Sequence, residues 1–536
     1  MDFAPSHLVV APVLIPLLIG ALLLFFDERE RRLKRTLSLV SAAALLGVAV
    51  SLLTRVHAGG DALALVYLVG DWPAPIAINL VADRLSAIML ALTAILAICA
   101  IIFSIGRWEK AGPHFHSLMQ FLLAGVSGAF LTGDLFNLFV FIEVMLAASY
   151  GLVLHGGGQG RVRAGLHYIA INLAASLIFL VGIAMIFGAA GTLNMAELSV
   201  RAGEMDGFAG PALATGLAML GLAFLVKAGM WPLCHWLVPA YSAAAGPVAA
   251  MFAILSKVGV YAILRMTHLM PGEEAAFGST VIFLGGAATL IFGSIGLIAS
   301  QSMKRAGAYL VLVSSGTLLA AFGMSVEGGT AGGLFYLVSS TLAVSAFFLM
   351  VELLEREQGA GSDVLAVTLE AYAEAEAGEE SEEADPGVVM PGAVAALGIG
   401  FGLLALVLIG LPPLSGFLAK FAILTAVMGP GSPAAGWETA VLASLLVLSG
   451  LFALVALARM GIRTFWAPVE PLAPRITLSE AAPICALMLA LGLLVFQAGP
   501  AVDLFAAAAA DLHDPARYLE AVMGAERVAE IRDADT

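Results

Sequence analysis

Three lysines lie inside long apolar segments of this chain, where a charged side chain is costly. The chain has six lysines in all, and these three are Lys227, Lys257 and Lys420. A charge at membrane depth costs about 2.5–3.5 kcal/mol on insertion scales, so such a residue suggests a function. Arginine dominates the loops, yet none of the three buried positions is arginine. Because desolvated lysine can release its proton whereas arginine cannot, the pattern predicts proton transfer.

A single carboxylate, Glu143, lies within the apolar segment NLFVFIEVMLAAS. It is about nine residues, roughly 14 Å, from the outer end of its predicted helix. Lys257 is about eleven residues, roughly 16 Å, from the inner end of its own helix, so both groups lie near the midplane. We expect Glu143 and Lys227 to form a pair whose strength changes during turnover and alters the proton affinity of Lys257. The alternatives are a purely structural role for Glu143 and, for Lys420, a side chain that reaches to the membrane interface.

Two histidines in apolar segments, His167 and His235, are further candidates. They could line a proton path or bind haem, and the absence of an evident facing pair favours the lining role. Three isolated cysteines have no metal-binding spacing: Cys99, Cys234 and Cys485. We therefore expect no cofactor and no metal.

Composition places these residues in a polytopic membrane protein. The chain has 536 residues, of which 61% are hydrophobic and 12% charged, against about 25% charged in soluble domains. Apolar segments of spanning length recur and predict an all-α fold of about fourteen helices. The predicted spans are 6–26, 36–54, 79–105, 115–132, 135–155, 164–189, 210–240, 246–269, 276–300, 305–324, 330–354, 389–428, 438–461 and 480–498.

Basic residues predict the orientation, because cytoplasmic loops are enriched in lysine and arginine. They concentrate in the odd-numbered loops, at Arg29, Arg31, Arg32, Lys34, Arg35, Arg107, Lys110, Arg161, Arg163, Lys304, Arg305, Arg463 and Arg475. The even-numbered loops contain little beyond Arg55, Arg201 and Arg265. The odd-numbered loops are therefore expected to be cytoplasmic, and both termini to lie outside.

Two segments are predicted to lie outside the lipid. Residues 355–388 are strongly acidic and predict a solvated cytoplasmic loop. In the tail, Asp514-Pro515 predicts a helix start, followed by an amphipathic pattern that includes Tyr518 and Val522. This helix is expected on the membrane surface or on a partner.

Two predicted spans contain helix breakers. The seventh contains Trp231-Pro232 and the twelfth contains Gly410–Gly416, with two adjacent prolines. Irregular backbone at membrane depth survives only where protein or a wet cavity surrounds it, and paired broken helices mark the ion site of many transporters. We expect discontinuous helices 7 and 12 within two inverted five-helix repeats, helices 4–8 and 9–13. The predicted regions are 1–110 (helices 1–3), 111–270 (first repeat), 271–465 (second repeat) and 466–536 (helix 14 and tail).

The motifs around these residues resemble a known family. FNLFVFIEVMLAASYGLVLHGG, VKAGMWPLCHWLVPAYSAAAGPVAAMFAILSKVGVYAILR and GLPPLSGFLAKFAIL are similar to the antiporter-like subunits shared by respiratory complex I and the multisubunit Mrp-type cation/proton antiporters. The resemblance covers roughly residues 80–465. LHGGGQGRVRAGLHY, GTLNMAEL and RMGIRTFW resemble the D subunit of the Mrp antiporters more than the complex I members.

The resemblance implies roles for the charged residues. Glu143 would pair with Lys227, Lys257 would be the central relay, and Lys420 would lie near the exit. Helix 11 departs from the family, since it carries Ser339 and Ser340 where members commonly have histidine or lysine. Serine cannot hold a proton at neutral pH, so transfer from Lys257 to Lys420 would need ordered water or another route.

The predicted function is that of a proton-translocating subunit in a Na⁺/H⁺ antiporter, a secondary transporter and not an enzyme. Its expected partners are other Mrp subunits, Na⁺, H⁺ and membrane lipid, with no nucleic acid. One alternative is a proton-pumping subunit of complex I or of a membrane-bound hydrogenase. The other is a non-conducting scaffold.

Overall fold

The computed structural model describes residues 5–58, 64–204, 209–270, 278–373, 392–429, 436–465 and 476–525. Within these ranges the chain is mostly helical. The helices in chain order are α1 (Ala11–Leu23), α2 (Arg31–Ala58), α3 (Arg84–Ser104), α4 (Phe115–Leu131), α5 (Leu135–Leu154), α6 (Gln159–Ala190), α7 (Met195–Glu204), α8 (Ala209–Ala228), α9 (Leu237–Ala243), α10 (Gly246–Phe252), α11 (Leu255–Leu269), α12 (Ser279–Ala299), α13 (Met303–Gly323), α14 (Glu327–Ala373), α15 (Gly392–Ile409), α16 (Ser415–Met428), α17 (Trp437–Phe465), α18 (Leu478–Phe496), α19 (Ala498–His513) and α20 (Pro515–Met523).

The apolar helices confirm a multi-pass membrane fold. Eleven helices in the described ranges are long and apolar enough to cross a membrane, with α10 and α11 counted together. Four more are apolar but shorter, namely α1, α4, α15 and α16. A helix forms all its backbone hydrogen bonds internally, which is why it is the stable form of such segments in lipid. The count of fourteen spans and the inverted repeats stay predictions.

A small antiparallel sheet is an addition to the expected all-helical fold. It pairs β1 (Leu65–Leu68) with β2 (Asn79–Ala82), and Leu65 lies opposite Ala82. The third predicted span therefore begins later than residue 79. Asp83 explains the later start, because its side chain accepts a hydrogen bond from the Ser86 amide at 2.8 Å and caps α3.

The acidic segment differs from its prediction. α14 continues through Ala373, so residues 355–373 are helical where a loop was predicted. The sequence AVTLEAYA within this stretch is rich in alanine, leucine and glutamate, which favour helix. The rest of the predicted loop, 374–388, lies outside the described residues.

The C-terminal tail packs on the chain itself. α20 begins at Pro515, as the Asp514-Pro515 pair predicts, but α19 before it was not predicted. Tyr518 and Val522 are buried, and the Arg265 guanidinium lies 5.2 Å from the centre of the Tyr518 ring. The apolar face of α20 therefore covers this chain, which corrects the expectation of a lipid or partner surface.

Arg265 is a buried ion-pair partner and not a loop charge. It lies in α11, and its Nη1 is 2.5 Å from Asp83 Oδ2 at the start of α3. Its Nη2 donates a hydrogen bond to the Tyr261 hydroxyl at 3.0 Å. The pair joins the start of α3 to the C-terminal half of α11, next to the tail helix.

Removing Asp83 alone is expected to destabilise the fold. Asp83→Ala leaves the Arg265 charge buried and unpaired, which typically costs about 3–5 kcal/mol. Thermal denaturation of the purified protein in detergent, followed by size-exclusion chromatography, measures the loss. The double variant Asp83→Ala/Arg265→Met should recover most of it, because an apolar replacement of a buried pair is often close to neutral. A single variant as stable as the wild type would contradict the assignment.

Candidate functional site

Glu143, Ser176 and Lys227 form one hydrogen-bonded group across three helices. Ser176 of α6 donates to Glu143 Oε1 on α5, and Lys227 Nζ on α8 donates to Ser176 Oγ at 3.3 Å. Lys227 is 3% exposed and Glu143 is half-buried. No direct ion pair within 4 Å joins the two charges in the described part of the chain. The structure therefore brings the predicted pair together, but through the Ser176 hydroxyl.

The two helix breaks have the same backbone geometry. α8 and α15 are each followed by a glycine in the left-handed region, Gly229 with φ 75° and Gly410 with φ 85°. In both, the next amide reaches back five residues at 3.0 Å, from Met230 to the Leu225 carbonyl and from Leu411 to the Leu406 carbonyl. This is the glycine-terminated helix end called a Schellman motif. Both helices therefore end in the same way, and the equivalence of the two breaks within inverted repeats stays a prediction.

Backbone groups opened by the breaks are bonded to protein side chains. The Trp231 amide donates to Thr289 Oγ1 of α12 at 2.8 Å, and the Trp236 indole donates to the Val226 carbonyl at 3.1 Å. At the second break, Lys420 Nζ donates to the Ile409 carbonyl at 2.9 Å. Such partners are required where lipid offers none. Lys420 is 8% exposed, so it is held inside the protein and does not extend to the interface.

Lys257 is the most deeply buried of the three lysines, at 1% exposure. It follows a short interruption between α10 and α11 that the sequence did not predict. Its Nζ donates to Ser314 Oγ at 2.8 Å and to Ser315 Oγ at 3.4 Å, both on α13. Across the described ranges no carboxylate lies within 4 Å of this amine. A buried charge without an ionic partner is costly, so protonation here has large energetic consequences.

Serines on α14 add to the buried polar groups around Lys257. These groups, together with Glu143, Ser176 and Lys227, are called the polar row below. Ser340 and Ser314 share a hydrogen bond of 2.8 Å between their hydroxyl oxygens. Ser339 donates to Ser415 Oγ, at the start of α16, at 2.9 Å. All four are buried. Ser339 and Ser340, where the sequence departs from the family, thus lie on α14 between the helices that hold Lys257 and Lys420.

The two histidines do not belong to this row. His167 and His235 are both exposed, and the His235 ring packs edge-on against Phe292 with centroids 6.0 Å apart. The groups found in the row are instead buried serines that the sequence motifs did not single out: Ser176, Ser314, Ser315 and Ser415. The sequence feature that could have identified these serines was a hydroxyl inside an apolar span.

Comparison with known proteins identifies the family. The family model described as "NADH:quinone oxidoreductase/Mrp antiporter, TM" matches residues 132–453, a range that contains Glu143, Lys227, Lys257 and Lys420. A Rhizobium meliloti protein, named as the D subunit of a probable K(+)/H(+) antiporter, is 51% identical over 535 residues, which cover 97% of this chain and 98% of that protein. The chain belongs to this antiporter family.

Other similar proteins match nearly the whole length of the chain. The D subunit of a Bacillus subtilis Na(+)/H(+) antiporter is 35% identical, covering 97% of this chain and 99% of that protein. A chain in the structure of the Mrp complex from a Dietzia species is 27% identical, with a TM-score of 0.79 over 97% of this chain and 99% of that one. A chain of Thermus thermophilus complex I is 22% identical, with a TM-score of 0.73 over 97% of this chain and 100% of that one, a likeness of fold.

Proposed function

We propose that this chain is the proton-translocating subunit of a monovalent-cation/proton antiporter in a bacterial plasma membrane. The family supports a secondary transporter and not an enzyme, since the similar proteins are named as antiporter subunits. The observation that carries the proposal is Lys257, buried at 1% exposure and bonded only to serine hydroxyls within the described ranges. A structural lysine would gain nothing from such a position.

The proposed relay runs from Glu143 and Lys227 through Lys257 to Lys420. Movement of charge on the Glu143–Ser176–Lys227 group changes how strongly Lys257 holds its proton, because nearby charges favour or disfavour the protonated form. Lys257 then passes the proton toward Lys420. The membrane potential supplies about 2.3 kcal/mol per charge per 100 mV.

The proposed orientation depends on the basic loops, and the proposed partners depend on the relatives. The basic loops support a cytoplasmic face at the odd-numbered connections, with both termini outside. The names of the relatives, which are subunits, and the Dietzia complex support assembly with other Mrp subunits in a hetero-oligomer. Sodium, potassium or both are the cations exchanged.

The identity of the cation is open to a direct test. The relative named for potassium is 51% identical, whereas those named for sodium are 32% and 35% identical. In everted vesicles containing the whole complex, we therefore expect a larger dissipation of the pH gradient on adding KCl than on adding NaCl. Fluorescence of a pH-gradient dye measures both, and choline chloride is the control. A larger response to NaCl would restore the sodium assignment predicted from the sequence alone.

The alternatives make other predictions. A complex I or hydrogenase subunit would be encoded beside hydrophilic iron–sulfur and quinone-reducing subunits. A scaffold would tolerate the loss of Lys257 in an assembled complex with normal exchange.

A further inference from the structure

The region between Lys257 and Lys420 is bridged by hydroxyl groups from three helices. Ser314 of α13 accepts from Lys257 and bonds to Ser340 of α14, each at 2.8 Å. Ser339, the adjacent residue of α14, bonds to Ser415 of α16 at 2.9 Å. The two serine pairs share no hydrogen bond with each other in the described chain. They form the two ends of a path with one gap between them.

A small cavity lies at that gap. Its lining includes Ser314, Ser339 and Ser340 together with Tyr336, apolar side chains and Gly416. The cavity has a volume of about 10 Å³. One water needs about 10–15 Å³ by this measure and two to four polar partners. The three hydroxyls supply those partners, so the cavity fits one water molecule.

We propose that these four hydroxyls and one water in the cavity carry the proton from Lys257 to the helix break that holds Lys420. This inference rests on the proposed function. A hydroxyl both donates and accepts a hydrogen bond, so it can take a proton on its oxygen while it releases its own hydrogen. Serine therefore need not store a proton, and α14, the predicted helix 11, needs no titratable residue at this point.

One proton moves along the path, and no oxygen on the path gains a charge. The Lys257 ammonium gives a proton to Ser314 Oγ, and the hydrogens of Ser314, Ser340, the water, Ser339 and Ser415 each move on by one position. Lys257 becomes a neutral amine, every oxygen stays neutral, and one proton arrives at the break. Lys420 accepts it there. Because Ser415 and Lys420 share no direct bond among the described residues, the Lys420 amine must first turn away from the Ile409 carbonyl.

Ser339→Ala in the intact complex tests this path. Ser339 shares no hydrogen bond with either lysine in the described residues. Removing its hydroxyl should lower the initial rate of cation/proton exchange at least about tenfold. Ser339→Thr restores a hydroxyl and should return the rate to within about twofold of wild type. Ser345→Ala is the matched control, since Ser345 is buried on the same helix and its hydroxyl has no hydrogen-bond partner in the described residues.

The outcomes separate this inference from the proposed function. Loss of exchange in Lys257→Ala with normal exchange in assembled Ser339→Ala would overturn the hydroxyl path and leave the relay standing. Normal exchange in both would overturn the proposed function. A loss that Ser339→Thr does not restore would show a packing role and also overturn the path. If Ser339→Ala does not assemble, Ser415→Ala with Ser415→Thr gives the same comparison at the next hydroxyl.

Discussion

Replacing Lys257 by alanine is expected to abolish cation/proton exchange and to leave the complex assembled. The Lys257 amine is 1% exposed and bonds to Ser314 and Ser315, so its removal leaves no buried charge without a partner. Ser314 keeps its bond to Ser340. Because a positioned proton-transfer group contributes about a hundredfold or more to a rate, exchange should fall by at least that factor. Dye-based exchange in everted vesicles, with assembly checked by native electrophoresis, measures both properties.

Lys257→Arg distinguishes a titrating role from a fixed charge. Arginine keeps its proton in proteins, so this variant should be as inactive as the alanine variant if Lys257 must release a proton. An active arginine variant would show that only the charge is needed. Lys110→Ala is the control, because Lys110 is an exposed lysine outside the apolar helices. Normal exchange by an assembled Lys257→Ala complex would favour the scaffold.

The sequence alone predicts the buried lysines and the helix breaks, because only their depth along a spanning segment has to be known. A charge in the middle of a spanning segment must be buried, and Lys227, Lys257 and Lys420 are buried. A proline pair at membrane depth must interrupt its helix, and the structure separates α15 from α16 there. Depth along a segment can be counted from residue numbers.

Which side of each helix points into the protein could not be obtained from residue numbers. A span that is apolar all round has no clear inner face, so nothing in the sequence showed that Ser176 points to Glu143 while His167 on the same helix points outward. The contact of Ser339 with Ser415 likewise depends on how α14 and α16 rotate against each other. The pairing of Asp83 with Arg265 and the packing of α20 on Arg265 are contacts between residues far apart in sequence.

Glu143→Gln is expected to remove most exchange while preserving assembly. Glutamine keeps the size of the side chain and can still accept from Ser176, but it lacks the charge that acts on Lys227 through that serine. If this charge drives the change at Lys257, the exchange rate should fall by about a hundredfold. Ser176→Ala should cost less, about tenfold, because both charges remain and only their bridge is lost. Initial rates in vesicles at equal complex content give both values.

The double variant decides whether Ser176 acts through Glu143. If the bridge has no other function, Glu143→Gln/Ser176→Ala should be no slower than Glu143→Gln alone, since coupled residues are not additive. Independent losses that multiply would instead assign Ser176 a separate role. Glu520→Gln is the control for removing a carboxylate, because Glu520 is exposed on the tail helix. Normal exchange by an assembled Glu143→Gln complex would reduce Glu143 to a structural link between α5 and α6 and would move the start of the relay to Lys227.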